Sequence, residues 1–131
     1  MAERIESFCD LRVYQLAFKM QQSVFGQSRK FPAEEKYSLT DQIRRSSRSV
    51  GANIAEAWQK RRYQAHFISK LTDADGELQE TSHWQATAVD CGYLSVEARE
   101  SFTLGYEELG RMLGAMMAKH GTIRRGLPVT C

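Results

Sequence analysis

Between Ser38 and Trp58 the apolar and polar positions recur with the period of an α-helix. At ~100° per residue, Leu39, Ile43, Ser47, Val50, Ile54 and Ala57 fall on one side, and Asp41, Arg44, Arg45, Arg48, Ala52 and Ala55 on the other. The first side is made for a core. The second offers Arg44, Arg45 and Arg48 among small residues, which points to a helical interaction module with an anionic partner rather than to a catalytic centre. The helix is expected to stop between Trp58 and Lys60. Continued further, it would turn Arg61 in the direction of Ile43 and bury its charge. Lys60, Arg61 and Arg62 are therefore expected in an exposed turn or at the start of the next helix.

Other segments share this period. Asp10 reads as an N-cap for a first helix from Leu11 to Lys30. Its stripe is Leu11, Tyr14, Phe18 and Phe25, widened by Val13, Ala17, Met20 and Val24 until it can touch two neighbours. Pro32 breaks the pattern and suits the start of a new segment. A third helix is expected from Tyr63 to Cys91, with Phe67, Leu71, Ala74, Leu78, Thr81 and Ala88 at three- and four-residue steps. Gly92 is placed to end it in the left-handed conformation. Ser95 reads as the N-cap of a fourth helix, Val96 to Lys119, faced by Phe102, Tyr106, Leu109, Leu113 and Met116. Gly105, Gly110 and Gly114 are poor helix formers, and close helix-to-helix approach is the expected reason for them. No segment alternates with period two for long enough to form a strand. The expected fold is all-α, an antiparallel up-down-up-down four-helix bundle over residues 1–120. Residues 121–131, which include Gly121, Gly126 and Pro128, are expected to form a flexible C-terminal tail.

The bulk composition fits this reading. A chain of 131 residues is one domain and can bury a core without a disulfide or a metal. The net charge of +2 does not announce nucleic acid, but its distribution is polarised. Arg44, Arg45, Arg48, Lys60, Arg61 and Arg62 are followed by Asp73, Asp75, Glu77, Glu80 and Asp90, with only Lys70 among them. Cys9, Cys91 and Cys131 are odd in number and widely spaced, without a C-x-x-C pair. The start is charged and no apolar run approaches the ~20 residues of a membrane span, so a cytoplasmic protein with reduced thiols, and no membrane partner, is expected.

Candidate chemistry is sparse. The guanidinium groups of Arg44, Arg45 and Arg48 match phosphate oxygens, and Lys60, Arg61 and Arg62 are better exposed for the same task. The competing assignment pairs these cations with the acidic residues of the third helix, in the same or a neighbouring subunit. Asn53 and Glu56 lie off the apolar stripe and read as a buried polar pair bonding neighbouring backbone; a lone carboxylate makes no acid–base site. Trp58, Trp84, Tyr63 and Tyr93 could stack on unpaired bases, but in a bundle they read first as core or subunit-interface anchors. Asp73-Ala74-Asp75-Gly76 fails the spacing of a calcium loop. His66, His83 and His120 lack metal-ligand spacing, and there is no phosphate loop or hydrolase motif. Neither enzyme activity, a metal nor a cofactor is expected.

From Phe8 to His120 the chain resembles the four-helix bundle protein family first noticed in intervening sequences of bacterial 23S ribosomal RNA genes. Phe8-Cys9-Asp10-Leu11-Arg12-Val13-Tyr14 is similar to its F-x-D-L-x-V-[YW] opening. Phe31-Pro32, Tyr37-Ser38-Leu39-Thr40 and Gln42-Ile43-Arg44-Arg45 resemble its F-P…Y-G-L-T-x-Q-I-R-R run. Ser49 to Ala57 resembles S-I-P-x-N-I-A-E-G, and Asp90-Cys91-Gly92-Tyr93-Leu94 resembles D-x-G-Y-L. Gly51 stands where the family usually has proline, so the second helix is expected to be less kinked, and Ala57 stands where it usually has glycine, which is expected to shift where that helix ends. The resemblance implies a non-enzymatic bundle that assembles as a homopentamer. It also implies a distant likeness to accessory proteins of diversity-generating retroelements, which engage a reverse transcriptase and nucleic acid. The expected function is an oligomeric bundle that associates with RNA or DNA through a basic surface. The alternative is a scaffold whose partner is a protein, with the basic patch used inside the oligomer.

Overall fold

Leu11, not Asp10, caps the first long helix. In a computed structural model that describes residues 4–124, with side-chain surroundings through residue 119, Asp10 closes a short 3-10 turn, Phe8–Asp10. Its carboxylate accepts the backbone N–H groups of Glu6 at 2.9 Å and Ser7 at 3.2 Å, while the Ser7 hydroxyl accepts the Cys9 N–H. The side chain expected to start the helix is thus engaged in a capping box one turn earlier. Four α-helices follow: α1 (Arg12–Ser28), α2 (Asp41–Gln59), α3 (Gln64–Asp90) and α4 (Val96–Arg124), with no strand among the described residues.

On α1 the two expected stripes exchange roles. Val13, Ala17, Met20 and Val24 form the buried face, whereas Phe18 is 45% exposed and Tyr14 and Phe25 lie half-buried at the border. Between α1 and α2, Pro32 caps a 3-10 turn, Ala33–Glu35, and Lys36–Thr40 form a π-helical turn that buries Leu39 and Thr40. The helical period from Ser38 onward is therefore wider for its first residues and becomes α only at Asp41. From there α2 runs unbroken through Gly51. A Cβ on Gly51 would stand 3.4 Å from Cε1 of Tyr14, at van der Waals contact, so α1 packs closely on this position. Ile43, Ser47, Val50, Ile54 and Ala57 are buried as expected, together with Ser46.

The end of α3 also follows expectation. Gly92 has φ +80°, its N–H reaches the Val89 carbonyl, and the Tyr93 N–H reaches the Ala88 carbonyl. This is the Schellman pattern, in which the left-handed residue satisfies the last carbonyls of a helix. The Ser95 hydroxyl then accepts the Ala98 N–H at 3.0 Å and opens α4. That helix continues past Lys119 to Arg124; Gly121 weakens a helix without stopping it. The rest of the expected tail, residues 125–131, and Cys131 with it, lies outside the described residues.

Each helix packs on its neighbours in the chain, and α4 also touches α1, more sparsely than it touches α3. Burial of Leu11, Ile43, Ile54, Phe67, Leu71, Leu78, Leu109 and Leu113 supplies the core and the main stabilising term. Among the described residues, polar groups inside it are bonded, apart from the Trp84 ring N–H. Thr81 donates to Ser46 at 2.9 Å, and fully buried Gln85 accepts from the Tyr106 hydroxyl while its amide donates to Gln27 at 3.3 Å. Burial pushes the Tyr106 phenol well above its usual pKa. One expectation is not met within the chain. A Cβ placed on Gly105, Gly110 or Gly114 would meet nothing within 4 Å, so no close approach within the chain accounts for these glycines.

Candidate nucleic-acid interface

The arginine face of α2 does not act as one surface. Arg44 and Arg48, one helical turn apart, lie over the Phe25 ring of α1 with guanidinium carbons 4.7 Å and 5.6 Å from its centroid. Arg29, which caps the C-terminus of α1, joins them from the same helix as Phe25, at 5.8 Å. The Arg44 Nε donates to the Ser28 hydroxyl at 2.7 Å, and that hydroxyl donates to the Phe25 carbonyl at 2.8 Å. None of these arginines forms an ion pair among the described residues.

Arg45 turns the other way. It pairs with Glu77 of α3 at 3.3 Å and with Glu80 at closer range. Desolvation pulls its pKa down, but the fields of both carboxylates outweigh that and raise it. Burial raises the Glu77 pKa against the opposing pull of Arg45, and the neighbouring Glu80 raises it further. For Arg45, the pairing with third-helix acids is the one realised, within the same chain.

Lys60, Arg61 and Arg62 lie in the turn between α2 and α3, as the sequence implies. They begin sixteen residues beyond Arg44, or about 24 Å along a helix axis at ~1.5 Å per residue. The turn is thus a second basic site, remote from the first. Arg61 lies over the Trp58 ring at 4.1 Å and donates to the Trp58 carbonyl at 2.8 Å. Lys60 and Arg62 are exposed, and Tyr63 beside them is 64% exposed.

Asn53 and Glu56 are not a pair. The half-buried Asn53 amide donates to the Ser49 carbonyl one turn back, at 2.9 Å. Glu56 is exposed and meets Lys70 of α3 at 2.7 Å. The hydrogen bond to Lys70, with its charge, lowers the Glu56 pKa and in turn raises that of Lys70. Trp58, Trp84 and Tyr93 pack against the hydrophobic core as partly buried residues. The Trp84 ring N–H is buried without a hydrogen-bond partner among the described residues. Tyr93 stands 6.1 Å from Phe31, and its hydrogen bond to the Glu35 carboxylate, with burial and that charge, holds the phenol up at about 12.

Among the described residues no group of three or more His, Cys, Asp and Glu side chains is placed to hold a metal, and no helix is long and apolar enough to cross a membrane. Cys9 and Cys91 are free and exposed. Arg29 and Phe25 did not stand out in the sequence. Their signal was an aromatic and a cation four residues apart at the end of one helix, matched by Arg44 and Arg48 at the same spacing on the next.

The fold is shared with a known protein. The chain is similar to a protein of unknown function from the S23 ribosomal protein family of Bacteroides thetaiotaomicron, whose crystal structure matches with a TM-score of 0.72 at 28% identity, over 81% of this chain and 95% of that one. No curated protein matches it. The family model described as 23S rRNA-intervening sequence protein matches residues 9–115, from the turn before α1 well into α4, and the chain belongs to that family.

Proposed function

We propose that the protein is a non-enzymatic helical bundle, residues 1–120, that works in the cytoplasm as a homo-oligomer and associates with RNA or DNA through two basic sites on each subunit. In this reading the four helices run antiparallel, up-down-up-down, and the subunits close into a pentamer. One site is Arg44 and Arg48; the other is the turn that carries Lys60, Arg61 and Arg62. The observation that carries the reading is that Arg44, Arg48 and Arg62 form no ion pair among the described residues, although the chain places acidic residues on the neighbouring helix. Repeating weak phosphate contacts around a ring turns them into useful avidity. Contacts of this kind carry no sequence preference.

The second reading, a scaffold for a protein partner such as a reverse transcriptase, is favoured at one position. Arg45 is already matched by Glu77 and Glu80, so at least part of the basic face serves the fold. Binding of a labelled single-stranded RNA at two salt concentrations separates the readings. Phosphate contact predicts an affinity that falls with a log–log slope of about −0.7 per neutralised phosphate. Arg48→Glu and Arg62→Glu should each weaken binding and flatten that slope. Absence of binding at low salt rejects the nucleic-acid reading and leaves the scaffold. Sedimentation of the free protein tests the assembly against its 15.0 kDa chain mass. A monomer rejects the ring.

A further inference from the structure

We infer that Arg29, Arg44 and Arg48 form a binding site for a phosphomonoester, the dianionic phosphate found at the end of a nucleic-acid strand and on a mononucleotide. Two i, i+4 pairs from adjacent helices build it: Phe25 and Arg29 from α1, Arg44 and Arg48 from α2. The three guanidinium carbons stand 5.8, 4.7 and 5.6 Å from the centroid of the one ring. Three positive charges thus surround one aromatic ring, and none of them forms an ion pair among the described residues. Asp41, three residues before Arg44, is in reach by sequence but forms no ion pair with it. The aromatic face attracts each cation only weakly at an exposed site, and the cations repel one another. Such a cluster gains from an anion.

Its hydrogen-bonding state points the same way. Nε of Arg44 is held by the Ser28 hydroxyl at 2.7 Å, which fixes the stem of that side chain. The terminal amino groups of Arg44, and the whole guanidinium groups of Arg29 and Arg48, have no acceptor among the described residues. The position of Arg29 at the α1 C-terminus accounts for one cation through the helix dipole. It does not account for Arg44 and Arg48.

The charge and the donor count select the ligand. A phosphomonoester carries about −1.5 to −2 charges at neutral pH and three terminal oxygens. An internal phosphodiester carries a single charge and offers two unbridged oxygens. In charge and in number of donors, three guanidinium groups therefore match the monoester better than the diester. Only the strand-end source rests on the proposed association with nucleic acid; the mononucleotide source does not.

The test uses the full chain and a short RNA labelled at its 3′ end, with either a 5′-phosphate or a 5′-hydroxyl, together with adenosine monophosphate as a competitor. A 5′-phosphate should tighten binding by roughly tenfold. Arg29→Gln and Arg48→Gln, both at exposed positions, should abolish that difference, with unchanged thermal melting as proof of folding. Arg62→Gln, remote from the site, should weaken both RNAs alike. If neither RNA binds but adenosine monophosphate binds the native chain and not Arg29→Gln, the site stands with a mononucleotide as its ligand and the nucleic-acid function falls. Equal affinity for the two RNA ends, with no binding of adenosine monophosphate, overturns the proposal.

Discussion

The hydroxyl of Ser28, almost fully buried at the end of α1, holds the Arg44 Nε of α2 at 2.7 Å while itself donating to the Phe25 carbonyl. This bond ties the basic cluster to the packing of the first two helices. Ser28→Ala removes the acceptor and leaves the Arg44 Nε in a half-buried place without its partner. Hydrogen bonds to charged groups contribute about 1.5–3 kcal/mol, and partial exposure of Arg44 places the expected loss near the lower end. Urea denaturation should show a lower midpoint with an unchanged slope.

The pair Gln85 and Tyr106 makes a different point about buried polarity. Gln85→Leu strands the Tyr106 hydroxyl and the Gln27 side chain, at a cost of about 1–3 kcal/mol. Tyr106→Phe removes the hydroxyl that would otherwise be orphaned. The double variant should therefore lose less stability than the two single losses added together. A double-mutant cycle measures the coupling, and strict additivity would show that the bond contributes nothing.

The elements themselves were readable because their signals are local. Gly92 can adopt φ +80° without a Cβ clash, and Ser95 offers an oxygen one turn before its N–H partner. Ile43, Val50 and Ile54 mark the core by period alone. Periodicity does not say what a polar side chain meets. Arg45 and Arg44 are adjacent in the chain and point to opposite neighbours, one to Glu77 and Glu80 and the other to Phe25 and Ser28. That choice depends on which helix lies to each side. Arg29 was missed for the same reason. The roles of Phe18 and Val13 on α1 were exchanged because both rows are apolar and only the neighbours decide which faces inward.

Arg45 serves the fold, which separates it from Arg48 in any binding assay. Arg45→Gln leaves Glu77 and Glu80 three residues apart on α3 without their counter-charge. The side chain is half exposed, so the stability change should be modest, up to about 1 kcal/mol, and should shrink as salt is added. Arg48→Gln should show the reverse pattern: little change in stability and a loss of RNA affinity. Equal losses of RNA affinity for the two variants would refute this division.

Tyr93 gives the fold a dependence on alkaline pH. Its phenol is held at about 12, first by the hydrogen bond to Glu35 and then by burial, against an ordinary value of 10.0. Between those values the unfolded chain loses this proton and the folded chain keeps it. The stabilisation is therefore complete below about pH 10 and is lost as pH rises towards 12. Glu35→Gln removes the carboxylate charge and should bring the phenol's titration, followed by ultraviolet absorbance, to lower pH. Tyr93→Phe identifies which tyrosine is responsible, and an unchanged titration in Glu35→Gln would refute the assignment.

The glycines of α4 separate the isolated chain from the assembly. Alanine at Gly105, Gly110 or Gly114 would meet nothing within 4 Å, and none of these residues needs a positive φ. Within one chain, each substitution should therefore stabilise the helix by roughly 0.5–1 kcal/mol, the ordinary advantage of alanine over glycine. If a second copy packs against α4, the added methyl groups will hold the helices apart and weaken association. Gly110→Ala/Gly114→Ala should then raise the unfolding midpoint of the dissociated chain at low concentration while lowering the fraction assembled at high concentration. Thermal melting and sedimentation over the same concentration range read both effects. Higher stability with undiminished assembly would show that α4 presents these glycines to no neighbour.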